Sequence, residues 1–409
     1  MTHTSLLRTP LFVKFLLGQI SSQLAIQMLL VGLGWQVYLI TESAMALGLV
    51  GLARYLPQLI LTLHAGSVAD RFNRVKIIMW GRGITIIAML MLSYTSYTNS
   101  INEYVIYFAC VLLGIAQTYN MPASQAIVPN LVSRANHAQA QTITASGREA
   151  TTIIGPALGG VIYIFGSETL YFLCSLVSLL SVLTFAGLIE SQPERLQSNA
   201  KKNALFDGFR FVWRNQLIFG SLLLDTLAVL IGSVTALLPM IARDILETDS
   251  VGLGLLRSAP AVGAVLMSLL IARYPIKRNS GRILYYAVGV FGLATIVFGF
   301  SDQLWLSLAM LFLLGSADMV SVIIRATWVQ DETPDEMRGR VSAVNALFIS
   351  TSNELGEFES GLAAAWIGAV PSILLGGVGT LLMVAIWIPL FPSLWNRDHL
   401  VNPETEESR

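Results

Sequence analysis

Hydrophobic residues in this chain form long runs rather than the short alternating pattern of a soluble sheet. About 20 apolar residues in a helix can cross the roughly 30 Å core of a bilayer, because a helix satisfies its own backbone hydrogen bonds. Turn-rich breaks separate the runs. The pattern predicts twelve membrane-spanning helices, over residues 11–40, 46–69, 75–98, 103–127, 139–165, 168–189, 217–245, 251–273, 282–301, 303–329, 341–366 and 370–392.

Composition narrows the function classes. The chain is 54% hydrophobic and 12% charged, whereas a soluble protein carries about a quarter charged residues. This excludes an ordinary cytoplasmic enzyme, a nucleic-acid-binding protein and a disordered scaffold. The two cysteines, Cys110 and Cys174, each lie in an apolar run, so we expect neither a disulfide framework nor a thiolate metal site. No cofactor is predicted.

The basic residues predict an orientation, since short cytoplasmic loops retain Lys and Arg. Of the 25 Lys and Arg residues, 19 fall on one side of the predicted spans, and only Arg243 falls on the other. The sequence therefore predicts a multi-pass protein of a bacterial inner membrane with both termini in the cytoplasm.

A polar segment after the sixth span predicts two halves. When the halves are offset by 203 residues, Gly51, Arg54 and Pro57 align with Gly254, Arg257 and Pro260, which indicates pseudo-symmetric six-helix bundles. The stretch 205–214 mixes aromatic residues and arginines, as an interfacial helix or an extension of the seventh span would. The predicted divisions are an N-terminal bundle at 1–189, a cytoplasmic linker at 190–216, a C-terminal bundle at 217–392 and a cytoplasmic tail at 393–409.

Two short motifs are found, one in the loop after the second predicted span and one inside the fifth. Residues 66–76 resemble the loop signature of the major facilitator superfamily, G-x-x-x-D-R-x-G-R-x-K, with Asn73 where glycine is usual. Asparagine tolerates a positive φ, so we expect the turn to survive this change. In span five, Gly155, Pro156, Gly159 and Gly160 resemble the G-P-x-x-G-G signature of antiporters and drug exporters. The same glycines could serve only a tight helix contact.

Residues 335–343 and 353–361, together with the span-five motif, resemble the branch of this superfamily that contains the enterobactin exporter and the macrolide efflux proteins. The resemblance implies a major facilitator fold and export of a small molecule. One departure concerns coupling: span four has no arginine, whereas drug exporters of other branches keep one there that is linked to proton coupling.

Charged residues inside the spans are candidates for gates, since each costs about 2.5–3.5 kcal/mol to insert. The architecture implied by the resemblance places spans two and eleven opposite each other, and also spans five and eight. We therefore expect two ion pairs at the outer gate, Arg54 with Glu354 or Glu357, and Arg257 with Glu149.

A capping box at 333–336 predicts that span eleven begins there, with a positive site at its start. The family architecture places Asp70 beside that site, so the contact would form when the cytoplasmic side is shut. The predicted inner gate comprises Gly66, Asp70, Arg71, Arg74, Arg338 and Arg340.

Polar stripes predict where a substrate binds. Gln19, Gln23 and Gln27 recur every four residues in span one, and Gln58 lies on a similar stripe in span two. Such stripes suit a water-filled cavity, although these glutamines could instead bond neighbouring helices.

Proton coupling has two candidate carboxylates, Asp225 and Asp318, with Arg325 two turns beyond Asp318. Asp225 is preferred because no cation lies near it in sequence; a buried acid bonded to backbone or hydroxyl groups is the alternative. Arg82 lies about two turns into span three, where its side chain could extend to the cytoplasm.

These features predict a secondary transporter that exports an amphipathic siderophore or drug-like molecule by alternating access, in exchange for protons. Uptake by proton symport and flipping of a lipid or lysolipid are the alternatives. No zinc-binding histidine pair, nucleophile elbow or phosphate loop is present, so no catalytic residue is predicted. The expected partners are the substrate, a coupling proton and the bilayer, with no nucleic acid, for a protein that acts as a monomer.

Overall fold

The computed structural model describes residues 6–133, 136–188, 204–334 and 336–401. The regular elements within these ranges are helices, as the sequence predicts. In chain order they are α1 Pro10–Thr41, α2 Ala44–Arg71, α3 Arg74–Tyr97, α4 Glu103–Leu131, α5 His137–Tyr163, α6 Ser167–Ala186, α7 Ala204–Arg214, α8 Gln216–Gly232, α9 Leu238–Met240, α10 Ser250–Arg273, α11 Ser280–Gly299, α12 Leu304–Asp331, α13 Arg338–Ile367, α14 Ala369–Leu390 and α15 Pro392–Trp395.

Ten segments of the described chain are long and apolar enough to cross a membrane. The two other long helices, α5 and α13, have 27 and 30 residues and match the fifth and eleventh predicted spans. Both carry many Gly, Ser, Thr and charged residues, which lowers their mean hydropathy below that of the other ten. The all-helical membrane fold is therefore confirmed, and ten of the twelve predicted spans meet the hydropathy criterion.

The seventh predicted span is not one continuous helix. Helix α8 ends at Gly232, and Ser233 is in an extended conformation. A short 3₁₀ turn, the three residues of α9 and a π-helical turn then continue to Ile245. Pro239 has no backbone N–H group. It is therefore tolerated in the first turn of α9, but it could not donate the hydrogen bond that a continuous helix from α8 would require at this position.

The segment before α8 is a separate helix rather than an extension of the span. Between them, Asn215 is extended, and its side chain accepts hydrogen bonds from the backbone N–H groups of Leu217 and Ile218. Helix α7 packs on α13, where Gly208 lies against the Arg340 backbone. The predicted linker residues 190–203 lie outside the described chain.

Helix α13 begins later than the capping box predicts. Its first residue is Arg338, and Pro334 instead accepts hydrogen bonds from the N–H groups of Met337 and Arg338 in the preceding turn. The hydroxyl of Thr333 is buried and has no hydrogen-bond partner within the described residues. The expected start at 333–336 is therefore wrong; Asp335 of that motif lies outside the description.

Contacts divide the chain into two compact units: unit 1 is Met1–Ser198 with Glu247–Ser258, and unit 2 is Asn199–Leu246 with Ala259–Arg409. Each unit has its own hydrophobic core. The core of unit 1 includes the fully buried Phe12, Phe15, Ile78, Ile127 and Phe185. The core of unit 2 includes Leu224, Tyr285, Ile324, Trp328 and Trp387.

The end of the described chain folds back onto unit 2 rather than extending as a simple tail. Arg397 lies 2.9 Å from Glu332 and 3.8 Å from Asp331 at the end of α12. Its carbonyl also accepts a hydrogen bond from the N–H group of Gly281. These contacts fix the chain after α14 against the ends of α11 and α12.

Candidate functional site

A polar cavity of about 330 Å³ lies within unit 1, between α1, α3, α4 and α5. Amide side chains dominate its polar lining, and each amide can both donate and accept hydrogen bonds. Arg82 and Arg148 also line it, and no Asp or Glu does so among the described residues. The amides are those of Gln19, Gln23, Gln117, Asn120, Gln125 and Gln141.

Two of the four predicted cavity glutamines, Gln19 and Gln23, line this cavity. Gln27 instead donates a hydrogen bond of 3.0 Å to the hydroxyl of Thr152 on α5. This is the alternative role given above for these glutamines, a hydrogen bond to a neighbouring helix. Gln58 is not among the lining residues.

Sequence reasoning missed the contribution of α4. Gln117, Asn120 and Ser124 recur at helical spacing and place a third polar stripe on this otherwise apolar helix. The same periodicity that identified the stripe in α1 would have found it.

Arg82 does not extend to the membrane surface, so that expectation is wrong. The residue is only 2% exposed. Its guanidinium donates hydrogen bonds to the Gly18 carbonyl at 2.6 Å and to Gln19 Oε1 at 2.5 Å. It also lies 4.3 Å from the centre of the Phe185 ring. These contacts hold the side chain between α1 and α6, beside the cavity.

The glycines of α5 allow other helices to approach closely. A Cβ atom added at Gly155 would lie 2.5 Å from Gln27 Cβ, and one at Gly159 would lie 2.7 Å from the Met28 carbonyl oxygen, both on α1. Distances below 3.0 Å are too short for such atoms, so these positions require glycine. The tight helix contact that the motif allows is therefore present.

A neighbouring face of α5, which carries Pro156 and Gly160, contacts the first part of α10, which also belongs to unit 1. A side chain at Gly160 would clash with the Ser250 carbonyl, and a Cβ at Gly254 would lie 2.5 Å from the Pro156 carbonyl oxygen. The Ser250 hydroxyl donates to the Gly160 carbonyl at 2.8 Å, and Ser258 donates to the Ile153 carbonyl at 2.6 Å. Close packing and two hydrogen bonds thus join the two segments.

A buried ion pair lies in unit 2, where Arg325 of α12 approaches Asp225 of α8 to 2.7 Å. Both side chains are at least nine-tenths buried. The Ser321 hydroxyl bridges them, because it donates to Asp225 at 3.3 Å and accepts from Arg325 Nε at 3.2 Å. No cation lies near Asp225 in sequence, as expected; its partner Arg325 comes from another helix, 100 positions further along the chain.

The second candidate carboxylate belongs to the same cluster. Asp318 precedes Ser321 by about one helical turn on α12, and it interacts electrostatically with Asp225 and Arg325. The cluster therefore contains two carboxylates and one guanidinium, and the guanidinium is in direct contact with Asp225.

The predicted inner-gate residues lie in several environments. Asp70 and Arg71 are exposed at the end of α2, and a Cβ at Gly66 would have no neighbour within 4 Å. Arg74 is 8% exposed and donates a hydrogen bond to the Ala126 carbonyl, which ties α3 to α4. Arg340, at the start of α13, lies 3.3 Å from Asp207 of α7.

Asn73 does not adopt the positive φ expected from its place in the motif. Its φ is −62° and its ψ is 118°, and its side-chain oxygen accepts hydrogen bonds from the N–H groups of Val75 and Lys76. It is the N-cap of α3, a position where asparagine is favoured because it satisfies otherwise unpaired donors.

We expect Asn73→Ala to destabilise the protein by about 1 kcal/mol, because the cap hydrogen bonds are lost. Asn73→Asp should retain stability, and Asn73→Gly, the residue usual in the motif, should cost only a few tenths of a kcal/mol. Thermal unfolding of the purified variants measures these differences. A stabilising glycine would instead indicate a strained backbone at this position.

The predicted outer-gate pairs stay predictions. Glu149 lies 3.6 Å from its neighbour Arg148, and both side chains are at least 40% exposed. Exposed pairs of this kind contribute little to stability, so this contact does not prevent Glu149 from exchanging partners.

Comparison with known proteins identifies the family. A family model described as transmembrane secretion effector, within the major facilitator superfamily, matches residues 1–402. The chain belongs to this family. Its members are transporters rather than enzymes, in agreement with the predicted absence of a catalytic site.

Curated relatives of this major facilitator protein include the enterobactin exporter EntS of Escherichia coli O1:K1, which is 26% identical over 384 residues. The match covers 93% of this chain and 92% of the relative. The same exporter from the E24377A strain of E. coli is 26% identical over 383 residues, with the same coverage. This similarity and the apolar helices support a multi-pass inner-membrane protein that exports small molecules.

Solved structures share the fold of this major facilitator protein. A mutant of the nucleoside transporter NupG superposes with a TM-score of 0.76 at 12% identity, covering 93% of this chain and all of that one. A bacterial homologue of the iron transporter ferroportin gives 0.72 at 15% identity, covering 95% and 99%. At these identities the comparison establishes the fold alone.

Proposed function

We propose that this protein exports a small amphipathic molecule, a siderophore or a drug-like compound, by alternating access and in exchange for protons. The observation that carries the proposal is the similarity to the enterobactin exporter over more than nine-tenths of both chains. The polar cavity of unit 1 supplies hydrogen-bonding groups for the polar part of such a molecule. The small-molecule substrate, the proton and the bilayer are then the partners of a protein that acts as a monomer, with both termini in the cytoplasm.

Alternating access requires contacts that form in one state and break in another. The packing of α5 against the start of α10 suits this role, because backbone approaches backbone over a short length and few side chains must separate. In our proposal this contact closes the outer side of the path. Arg54 with Glu354 or Glu357, and Arg257 with Glu149, would reinforce that closure.

Proton exchange requires a carboxylate whose charge is balanced by a partner that can be replaced. Arg325 contacts Asp225 at 2.7 Å, and Asp318 precedes Arg325 by two turns on the same helix, so in our proposal protonation of Asp225 lets the guanidinium pair with Asp318 instead. In our proposal, proton binding and release at this cluster change the arrangement of α8 and α12. That change is coupled to the conformational step in which the substrate is carried across the membrane.

The inner gate can be tested at Asp70, whose proposed partners are the start of α13 and Arg338 or Arg340. Asp70→Asn should preserve membrane insertion and abolish transport, because the neutral side chain no longer stabilises the closed cytoplasmic side. Transport in inverted vesicles measures the effect. Asp302→Asn, which removes a carboxylate from an exposed residue before α12, is the control for loss of a negative charge, and normal transport by Asp70→Asn would contradict the gate.

Transport in inverted membrane vesicles tests the proposed function. Vesicles containing the protein should accumulate enterobactin or a macrolide when their interior is acidified, and collapse of the pH gradient with an ionophore should stop accumulation. Transport in the opposite direction would support uptake by symport. Movement of a fluorescent lysolipid, without movement of either compound, would instead support a flippase.

A further inference from the structure

Arg82 is a buried cation that forms no ion pair with the described residues. Its two observed hydrogen bonds go to neutral oxygens, the Gly18 carbonyl and the Gln19 amide. Its Nε–H group is buried and has no hydrogen-bond partner in the described part of the chain. An arginine keeps its proton in proteins, so a full positive charge lies in the membrane-spanning region, and among residues 6–133, 136–188, 204–334 and 336–401 only dipoles and the Phe185 ring balance it.

Such an arrangement is costly unless a counter-charge completes it. Burying an unpaired charge is strongly unfavourable, and charged residues inside membrane proteins normally pair with one another or face a path for solutes. Asp225, by contrast, has Arg325 at 2.7 Å. Arg82 and the Asp225–Arg325 pair therefore differ: the pair is balanced within the described chain, and Arg82 has no ion-pair partner there.

The cavity beside Arg82 has the composition of a site for an anion. Its described lining contains six amides and a second arginine, Arg148, but no carboxylate. Amide N–H groups and guanidinium groups donate hydrogen bonds to oxygen anions. Glu149, 3.6 Å from Arg148, is not among the lining residues, so a cationic drug would meet no carboxylate in the described lining and would be repelled by Arg82.

We propose that Arg82 is the specificity-determining residue of the cavity and that the transported molecules carry an acidic oxygen group, such as a carboxylate, which pairs with it. This inference rests on the proposed export function and names its substrate class. Gln19 holds the guanidinium in place through Oε1, and the substrate oxygen completes its coordination from the cavity side. The Phe185 ring fixes the plane of the guanidinium.

The substrate class can be measured with three naphthalene probes that differ only in one substituent: a carboxylate, a carboxamide and an aminomethyl group. Binding to the purified full-length protein in a neutral detergent is followed by fluorescence. We expect the carboxylate to bind about tenfold more tightly than the carboxamide, because a charge-assisted hydrogen bond is about twice as strong as a neutral one. The aminomethyl probe should bind most weakly.

Gln19→Glu is the decisive variant, because it gives Arg82 an internal carboxylate without removing the arginine. The protein should fold at least as stably as the wild type, and the preference for the carboxylate probe should disappear. Arg82→Gln should also remove the preference, but it breaks the contact with α1 as well. Gln303→Glu introduces the same charge at an exposed loop residue and should leave probe binding unchanged.

Equal binding of carboxylate and carboxamide by the wild type would overturn the inference, and so would an undiminished preference in Gln19→Glu. Export in vesicles with no charge preference would refute the substrate class and leave the export function intact. A carboxylate preference that Gln19→Glu abolishes, in a protein that exports nothing, would support the anion site and contradict the export function.

Discussion

Asp225→Asn is expected to abolish proton-driven transport while the protein still reaches the membrane. The substitution removes the carboxylate that Arg325 contacts at 2.7 Å and leaves the guanidinium with the Ser321 hydroxyl, while Asp318 lies two turns before Arg325 on the same helix. Removing one partner from a buried pair destabilises a protein by about 3–5 kcal/mol. Here the second carboxylate can take over part of the pairing, so we expect the loss of stability to fall at or below the low end of that range.

The measurement must separate coupling from binding. Exchange of labelled for unlabelled substrate across the membrane requires no net proton movement, so Asp225→Asn should retain it while accumulation driven by a pH gradient is lost. Asp302→Asn, at an exposed residue before α12, is the matched control and should preserve both activities. Full gradient-driven accumulation by Asp225→Asn would show that this pair is structural.

Gly254→Ala is expected to open the contact between α5 and α10. The added methyl would lie 2.5 Å from the Pro156 carbonyl oxygen, and backbone atoms on both sides cannot rotate away as a flexible side chain can. Overpacking of this kind costs about 1–3 kcal/mol. The penalty applies only when α5 and α10 are in contact. It therefore shifts the equilibrium between the closed and the open contact toward the open form by roughly 5- to 150-fold.

Alkylation of a cysteine introduced at Ser258 reports on that contact, because Ser258 is buried against α5 and the natural cysteines Cys110 and Cys174 are both buried. Labelling should be slow in the parent protein and faster by a similar factor when Gly254→Ala is added, with a matching loss of transport. Gly289→Ala adds the same methyl to α11, where it would meet nothing within 4 Å, and should change neither. Unchanged labelling would mean that this contact stays shut throughout transport.

The sequence predicts helix ends well where a turn residue marks them. The first span was expected at 11–40 and is Pro10–Thr41, and the last was expected at 370–392 and is Ala369–Leu390. Proline at the first position of α1 and a left-handed Glu42 after it set local limits that depend on neighbouring residues alone. Local chemistry also explains the error at α13, where a plausible capping box competes with a turn at Pro334.

The candidate site was less predictable because its contacts join residues far apart in the chain. Arg325 lies 100 positions from Asp225, and Arg82 finds its acceptors on α1, so neither environment follows from the neighbouring sequence. Composition and spacing identified which residues were unusual for a membrane span. They could not determine which other helix each residue meets, since that depends on how the helices pack.

Helices α5 and α13 have a consequence for biosynthesis. A segment leaves the translocon for lipid according to its own hydrophobicity, and these two are the long helices of the described chain that do not reach the threshold. Integration of each of these two helices into the bilayer therefore requires that an adjoining apolar helix has already been synthesised. Nascent chains truncated directly after Tyr163 should fail to integrate their last helix, whereas chains extended through α6 should integrate both.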